Sequence, residues 1–527
     1  MGKPVEGQPD AGLRSLDHYK NQLPHWRYWP RQKLLPLIRY ETPYLAWFQE
    51  KIRTPALDSY FAFTANLGTH TFFMVFLPIL FWSGFPSLGR AMVHMLASGI
   101  FFSGFIKDLL CLPRPLSPPL QRITMSGSAA LEYGFPSSHS TNAVSVAVYI
   151  LHLLQSPNST LSPDVTLFLQ VVTYLYVASI VVGRLYCGMH GFFDVIIGSA
   201  LGVLLAVLHY TFESQIDQYV HSGNGKQVTL VVLTILALVR IHPEPADDCP
   251  CFDDSVAFAA VTIGAQIAYW NIARASATWD TPHPSTLPRS TYEKISWAQM
   301  GLRLVIGVFL IFAWREIMKP SLLRILPPVF RGLEKLGLIL PRRFFTKASQ
   351  YTTVPAQLKD HDVLPSFSDI PSIITNIRHP RRRAVSIGPQ SEADAYETLA
   401  YREKRRRDSL SSPYRGSPAT DAINEDGSSS GAAVHRLSRK PSKLDEYEYM
   451  MGTGTNAIEV ASQSSGIEPF PEFIDEHDEE KLFAQVKRPR VRYDVEVVTK
   501  LVVYCGIAWI AIDGAAVLFE MIGLMPS

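Results

Sequence analysis

Apolar residues along this chain gather into runs long enough to cross a bilayer, and several runs end in a short polar segment. A hydrocarbon core of roughly 30 Å takes about 20 residues of helix to span. Tyr60–Trp82, Ala91–Cys111, Val165–Gly183, Phe192–Phe212, Ser255–Ala273, Gln299–Met318 and, at the far end, Val497–Met525 all read as such spans. Ser140–Gln155 is short and polar at its start, and Val228–Ile241 is of marginal length; with both included, about nine spans are predicted. Buried helices of a large soluble domain would not need so many apolar runs with so few internal charges, whereas a lipid environment favours them. The expected fold class is therefore all-α, a polytopic transmembrane helical bundle.

Two stretches break the pattern. Lys319–Pro341 is apolar but interrupted by Pro327, Pro328 and Gly332, which predicts an interfacial or re-entrant segment rather than a straight span. Over 346–490 apolar periodicity disappears and Ser, Pro, Arg, Asp and Glu dominate, so this tract is expected to be disordered. The chain accordingly divides into an N-terminal polar or interfacial segment (1–55), a membrane core (56–215), additional transmembrane helices with an interfacial segment (216–345), the long disordered segment (346–490) and a C-terminal transmembrane helix (491–527). The first fifty residues lack a continuous apolar region followed by a small-residue cleavage site, so no cleaved signal peptide is expected.

Composition strengthens the membrane reading. Of 527 residues, 47% are hydrophobic and only 18% charged, too apolar for an average soluble enzyme. A net charge of +2 gives no general attraction to nucleic acid, and no nucleic-acid partner is expected. Five cysteines, of which only Cys249 and Cys251 lie close together, support neither a disulfide framework nor a zinc site; all five read as structural or incidental.

Candidate chemistry sits in three polar segments at the ends of apolar runs. In the first, Lys107 and Arg114 are two helical turns apart, and Pro113 disfavours helix at Leu112, so both cations fall at a helix exit. In the second, Gly134-Phe-Pro-Ser137-Ser138-His139 leads into an apolar run. Ser137 or Ser138 can cap the helix that begins there, and its first-turn N–H groups make an anion site with His139 at the edge. In the third, His190 and Asp194 are four apart beside Arg184. A carboxylate at that spacing can hold an imidazole in one tautomer, as a nucleophilic histidine requires, and a guanidinium suits a phosphoryl group. Counting spans puts all three segments on one aqueous side.

Together the three segments resemble the tripartite signature KxxxxxxRP, PSGH and SRxxxxxHxxxD of the type 2 phosphatidic acid phosphatase (PAP2) superfamily. The likeness spans Lys107 to Asp194, with Ser138 where the pattern has Gly and Gly183 where it has Ser. The wider wording KDLLCLPRPLSPPL, YGFPSSHSTNA and GRLYCGMHGFFD is most similar to fungal dihydrosphingosine and sphingosine 1-phosphate phosphatases. The resemblance implies that region 56–215 is a PAP2-type catalytic core. It also implies that His190 is the nucleophile, Asp194 its orienting partner and His139 the acid for the leaving alkoxide, with Lys107, Arg114, Arg184, Ser137 and Ser138 holding the phosphate. It implies no metal and no cofactor, a membrane lipid substrate (a sphingoid base 1-phosphate), and a multi-pass protein of the endoplasmic reticulum membrane.

Rival readings are a phosphatidate or polyprenyl-phosphate phosphatase on the same motif, and a membrane transporter or scaffold without catalysis. The polar residues cluster at one end of the spans, which disfavours a transport pathway. Ser386 and Ser409, each shortly after several arginines, are candidate targets of a basophilic kinase. Sidedness is in tension. The resemblance implies a luminal site, yet the basic tract Arg378–Arg383 and Lys404–Arg407 belongs in the cytosol by the charge rule. Both hold only if one span is miscounted, and an extra crossing by Lys319–Pro341 is the leading correction. The sequon Asn158-Ser159-Thr160 lies on the loop opposite the site and is expected to carry no glycan.

Overall fold

The computed structural model describes residues 11–338 apart from short stretches, 345–354 and 492–524. The tract 355–491, with Ser386 and Ser409, and the sequon at Asn158 lie outside the described residues.

Helices α1 (Leu16–Gln22) and α2 (His25–Ile52) stay at one end of the bundle. There the Arg27 guanidinium donates to the carbonyls of Asp108, Leu109 and Glu244, and Gln49 donates to the carbonyls of Gln121 and Tyr186. The outer face of α2 exposes Trp26, Trp29, Tyr40, Tyr44 and Trp47, residue types that settle at headgroup level.

The expected run Tyr60–Trp82 is two helices, α3 (Pro55–Asn66) and α4 (His70–Trp82). The break has a local cause: Gly68 lies against the His139 ring, 2.9 Å from where a Cβ would stand, so the chain bends around the site there. Together α3 and α4 run from Thr54, whose N–H donates to the Tyr186 hydroxyl, to Trp82, whose indole N–H donates to the Ala511 carbonyl at the opposite end. From there α5 (Pro86–Leu110) returns to the first end, α6 (Ser138–Leu154) leaves it, α7 (Pro163–Tyr186) returns and α8 (Phe192–His221) leaves. Next, α9 (Gly225–Ile241) returns, α10 (Cys251–Thr278) leaves and α11 (Trp297–Lys335) returns. Finally α12 (Val495–Trp509), a π turn (Ile510–Gly514) and α13 (Ala515–Met521) leave as one continuous element. Among the described residues, α5, α7, α8, α10, α11 and the α12–α13 element are long and apolar enough to cross a membrane. The protein is thus a multi-pass, all-helical membrane bundle. Among the large side chains of its centre stand small ones, Ala91 and Ala97 of α5, Ala257, Ala260, Ala265 and Ala268 of α10, and Ala508, Ala511 and Ala515, which let helices approach closely where lipid supplies no hydrophobic drive between them.

The described part of Lys319–Pro341, residues 319–338, is neither re-entrant nor an extra crossing. Its residues 319–335 form the second half of α11, which continues through Pro320, Pro327 and Pro328. Each interior proline costs about 3 kcal/mol of helix. Burial of Leu323 and Phe330 against Ala348 and Val495 offsets part of that cost, a tertiary contact invisible to periodicity. Residues 345–346 then pair as a parallel ladder with 492–493, and Asp494 accepts from the Ala348 N–H and the Tyr351 hydroxyl. Residues 346–354, which the sequence grouped with the polar tract, therefore belong to the folded unit. Both flanks of 355–491 are fixed at the same end of the bundle, where Arg492 donates to the Cys249 carbonyl.

Cys249 and Cys251 are joined by a disulfide, a pairing not expected from a sequence whose five cysteines read as structural or incidental. Two cysteines a single residue apart, at a helix start, carry none of the spacing by which a disulfide framework is recognised. Asp108 approaches the same two sulfurs.

Candidate active site

Three turns deliver the polar segments to one place. Helix α5 ends at Leu110, with Cys111 in the left-handed conformation at its C-cap, and the extended chain that follows sets Arg114 beside Lys107. Helix α6 starts at Ser138, capped by Ser137, whose hydroxyl accepts from the Ser140 N–H. The turn between α7 and α8 carries Met189 and His190. Phe135 stacks on Phe193 with centroids 4.9 Å apart, and the Ser137 N–H donates to the Asp194 carbonyl at 3.1 Å, tying the second segment to the third.

His190 is 1% exposed. Its Nδ1 lies 2.9 Å from the Gly134 carbonyl oxygen, which can only accept, so Nδ1 carries the proton and Nε2 keeps its lone pair. Arg114 Nη1 donates to that Nε2 at 3.2 Å and to the Met189 carbonyl at 2.8 Å. Burial holds the His190 ring well below the usual histidine pKa, and the charges of Arg114, Lys107, Arg184 and His139 push it further down; the imidazole is neutral at physiological pH. Asp194, expected to orient the ring, stands 3.7 Å from Nδ1, and its Oδ2 accepts from the Gly191 N–H at 2.9 Å. Because His190 lies before the first turn of α8 rather than on it, the i,i+4 face that would have brought carboxylate and ring into direct contact does not form. The Gly134 carbonyl makes the hydrogen bond to Nδ1, and Asp194 stays within ion-pair distance of the ring.

Lys107, 3% exposed, donates to the Ser138 hydroxyl at 3.2 Å, so the serine that departs from the PSGH pattern is a ligand of the first cation. The other departure, Gly183, has a packing cause: a Cβ there would stand 3.0 Å from the Phe61 ring. Arg184 is buried, and its Nε has no hydrogen-bond partner among the described residues. A buried guanidinium with an unmet donor is costly unless an anion meets it. His139, half-buried at the α6 start, faces Gly68.

Two carboxylates were not anticipated. Glu132 Oε2 accepts from Lys107 Nζ at 3.1 Å and from Arg114 Nη2 at 3.2 Å. Glu41 of α2 accepts from the Phe193 N–H at 3.0 Å, capping α8 across some 150 residues of sequence; burial raises its pKa, opposed by the Phe193 and Phe192 N–H groups. Neither belongs to a spaced motif, so only the fold brings them in.

A neutral, buried imidazole under the charge of Lys107, Arg114 and Arg184, at the end of the membrane helices, is an arrangement suited to phosphoryl transfer in an integral membrane protein. Residues 88–217, which hold all three segments, match the PAP2 superfamily. A dihydrosphingosine 1-phosphate phosphatase of Schizosaccharomyces pombe is 38% identical over 64% of this chain and 80% of its own. One of Saccharomyces cerevisiae is 33% identical over 59% and 75%, and the human sphingosine-1-phosphate phosphatase 2 is 26% identical over 55% and 73%. The chain belongs to the PAP2 superfamily and, within it, to the family of the fungal dihydrosphingosine 1-phosphate phosphatases. No solved structure matches it.

Proposed function

We propose that this chain hydrolyses the phosphate monoester of sphingoid long-chain base 1-phosphates through a phosphohistidine intermediate. The observation that carries the reading is the His190 ring, held with Nε2 unprotonated by the Gly134 carbonyl and set 3.2 Å from the Arg114 guanidinium. Nε2 attacks phosphorus as the ester P–O bond breaks, and His139 gives its proton to the departing alkoxide. The phosphorylated ring is cationic; the Gly134 carbonyl and the Asp194 carboxylate favour it. Lys107, Arg114, Arg184 and the hydroxyls of Ser137 and Ser138 meet the equatorial oxygens, where transition-state charge accumulates. A water then passes a proton to His139 and attacks phosphorus, releasing inorganic phosphate and regenerating neutral His190.

A lipid substrate suits a site at the ends of membrane helices, where a headgroup enters while its chain stays in the bilayer. The sphingoid choice rests on the relatives' names, and phosphatidate or a polyprenyl phosphate is the alternative within the superfamily. We place the protein in the endoplasmic reticulum membrane on the same resemblance, with Ser386 and Ser409 as kinase targets. Purified protein quenched during turnover of radiophosphate-labelled dihydrosphingosine 1-phosphate should carry an acid-labile, base-stable label that is lost in His190→Ala. Turnover of that lipid with no such label would exclude the covalent route, and faster turnover of phosphatidate or a prenyl phosphate would move the substrate class.

A further inference from the structure

A phosphatase gains nothing obvious from a carboxylate inside its phosphate cradle. Yet Glu132 Oε2 binds both Lys107 and Arg114, and its own backbone carbonyl accepts from Arg114 Nε at 3.1 Å. The same guanidinium that reaches His190 Nε2 thus holds Glu132 in place by main chain and side chain together. An incoming dianion must share Lys107 and Arg114 with this carboxylate, an arrangement that weakens the hold on a plain phosphate. Behind it, Glu132, Lys107, Ser138 and Asp254 of α10 line a small cavity with room for about one water-sized group. Glu132 therefore sets a carboxylate on one face of the cradle.

Given the sphingoid reading above, the substrate brings the missing charge. Its ammonium group stands on the carbon next to the one that bears the phosphate ester, close enough for a single headgroup to touch both faces of the cradle. We propose that Glu132 is the specificity determinant that binds this ammonium: the phosphate takes over Lys107 and Arg114, and the displaced carboxylate pairs with the amine. Lipid phosphates without a cation leave Glu132 facing their own negative charge, and the site rejects them electrostatically.

Wild-type protein and Glu132→Gln are assayed in mixed micelles on dihydrosphingosine 1-phosphate, on its N-acetylated analogue and on a single-chain alkyl phosphate of matched length. The wild type should prefer the free amine over both amine-free charges by tenfold or more in kcat/KM. Glu132→Gln should reduce that ratio about tenfold, and Glu132→Asp should restore much of it. Equal turnover of the three lipids by the wild type overturns the proposal without any variant. So does a Glu132→Gln that changes all three by one factor, upward as for a simple plug or downward as for a fold defect. If the wild type turns over none of the sphingoid lipids but hydrolyses phosphatidate, the substrate reading itself fails, a result distinct from either.

Discussion

The carbonyl oxygen of Gly134 receives the Nδ1 proton of His190 at 2.9 Å, whereas the Asp194 carboxylate stands at 3.7 Å. A main-chain group, fixed by the start of α6, therefore sets the tautomer of the proposed nucleophile, and Asp194 is left to act through its charge and through the Gly191 N–H.

That division of labour separates two variants. His190→Ala removes the attacking atom and should lower kcat on the order of a thousandfold or more. Asp194→Asn keeps an oxygen for the Gly191 N–H and leaves the Gly134 contact untouched, so it should lose only about tenfold to a hundredfold, or about 1.4–2.7 kcal/mol of transition-state stabilisation. Steady-state kinetics on a sphingoid phosphate with both purified variants decide this. An Asp194→Asn as inactive as His190→Ala would return the orienting role to the carboxylate.

The pH profile reports on the same ring. His190 is held neutral by burial and by the neighbouring cations, so removing one cation makes its protonated form less unfavourable and raises its pKa. Arg114→Gln should accordingly move the acid limb of kcat/KM to higher pH than in wild type, besides lowering the plateau. Comparison on one substrate cancels the titration of the phosphate itself. An acid limb that stays where it was would mean that Arg114 does not help to keep His190 unprotonated.

Gly183 offers a test of packing. Restoring the serine of the superfamily pattern places a Cβ 3.0 Å from the Phe61 ring, and overpacking of this kind costs about 1–3 kcal/mol. Gly183→Ser should lower the thermal midpoint of the detergent-solubilised protein, and Phe61→Leu in the same chain should recover part of the loss. A Gly183→Ser midpoint equal to wild type would show that the ring gives way freely.

Topology is testable without locating either compartment beforehand. Thr346 and Tyr493, which flank the Arg-rich tract, are paired at the end of the bundle that holds His190. In sealed microsomes, protease should therefore cut the tract only under conditions in which a membrane-impermeant phosphate mimic also inhibits turnover. The Asn158 loop, at the other end of α6, should behave oppositely and remain unglycosylated if the site is luminal. Protease cleavage of the tract with full protection of the site would contradict the continuous course of α11.

Legibility followed the range of the interactions. Most of the apolar spans, the helix stop before Pro113 and the Ser137 cap are local effects, and they were readable. The three segments converge because the spans alternate, and alternation can be counted. What escaped depends on contacts between distant residues: α11 persists through three prolines because Leu323 and Phe330 find Ala348 and Val495, and α3 parts from α4 where Gly68 meets His139. Within the site, Lys107, Arg114, Arg184, Ser138 and His190 stood in recognisable spacing. Glu132, Glu41 and the Gly134 carbonyl did not, since a loop carboxylate and a backbone oxygen leave no periodic trace.

The row of exposed aromatics on α2, from Trp26 to Trp47, is of the residue types that settle at headgroup level, and Glu41 of the same helix caps the helix that follows His190. Chemistry is thereby confined to a plane. For an enzyme so placed, substrate arrives by sideways diffusion among other lipids, and the concentration that governs its rate is a mole fraction in the sheet rather than an amount per volume of water. Adding inert phospholipid should slow it; adding buffer should not.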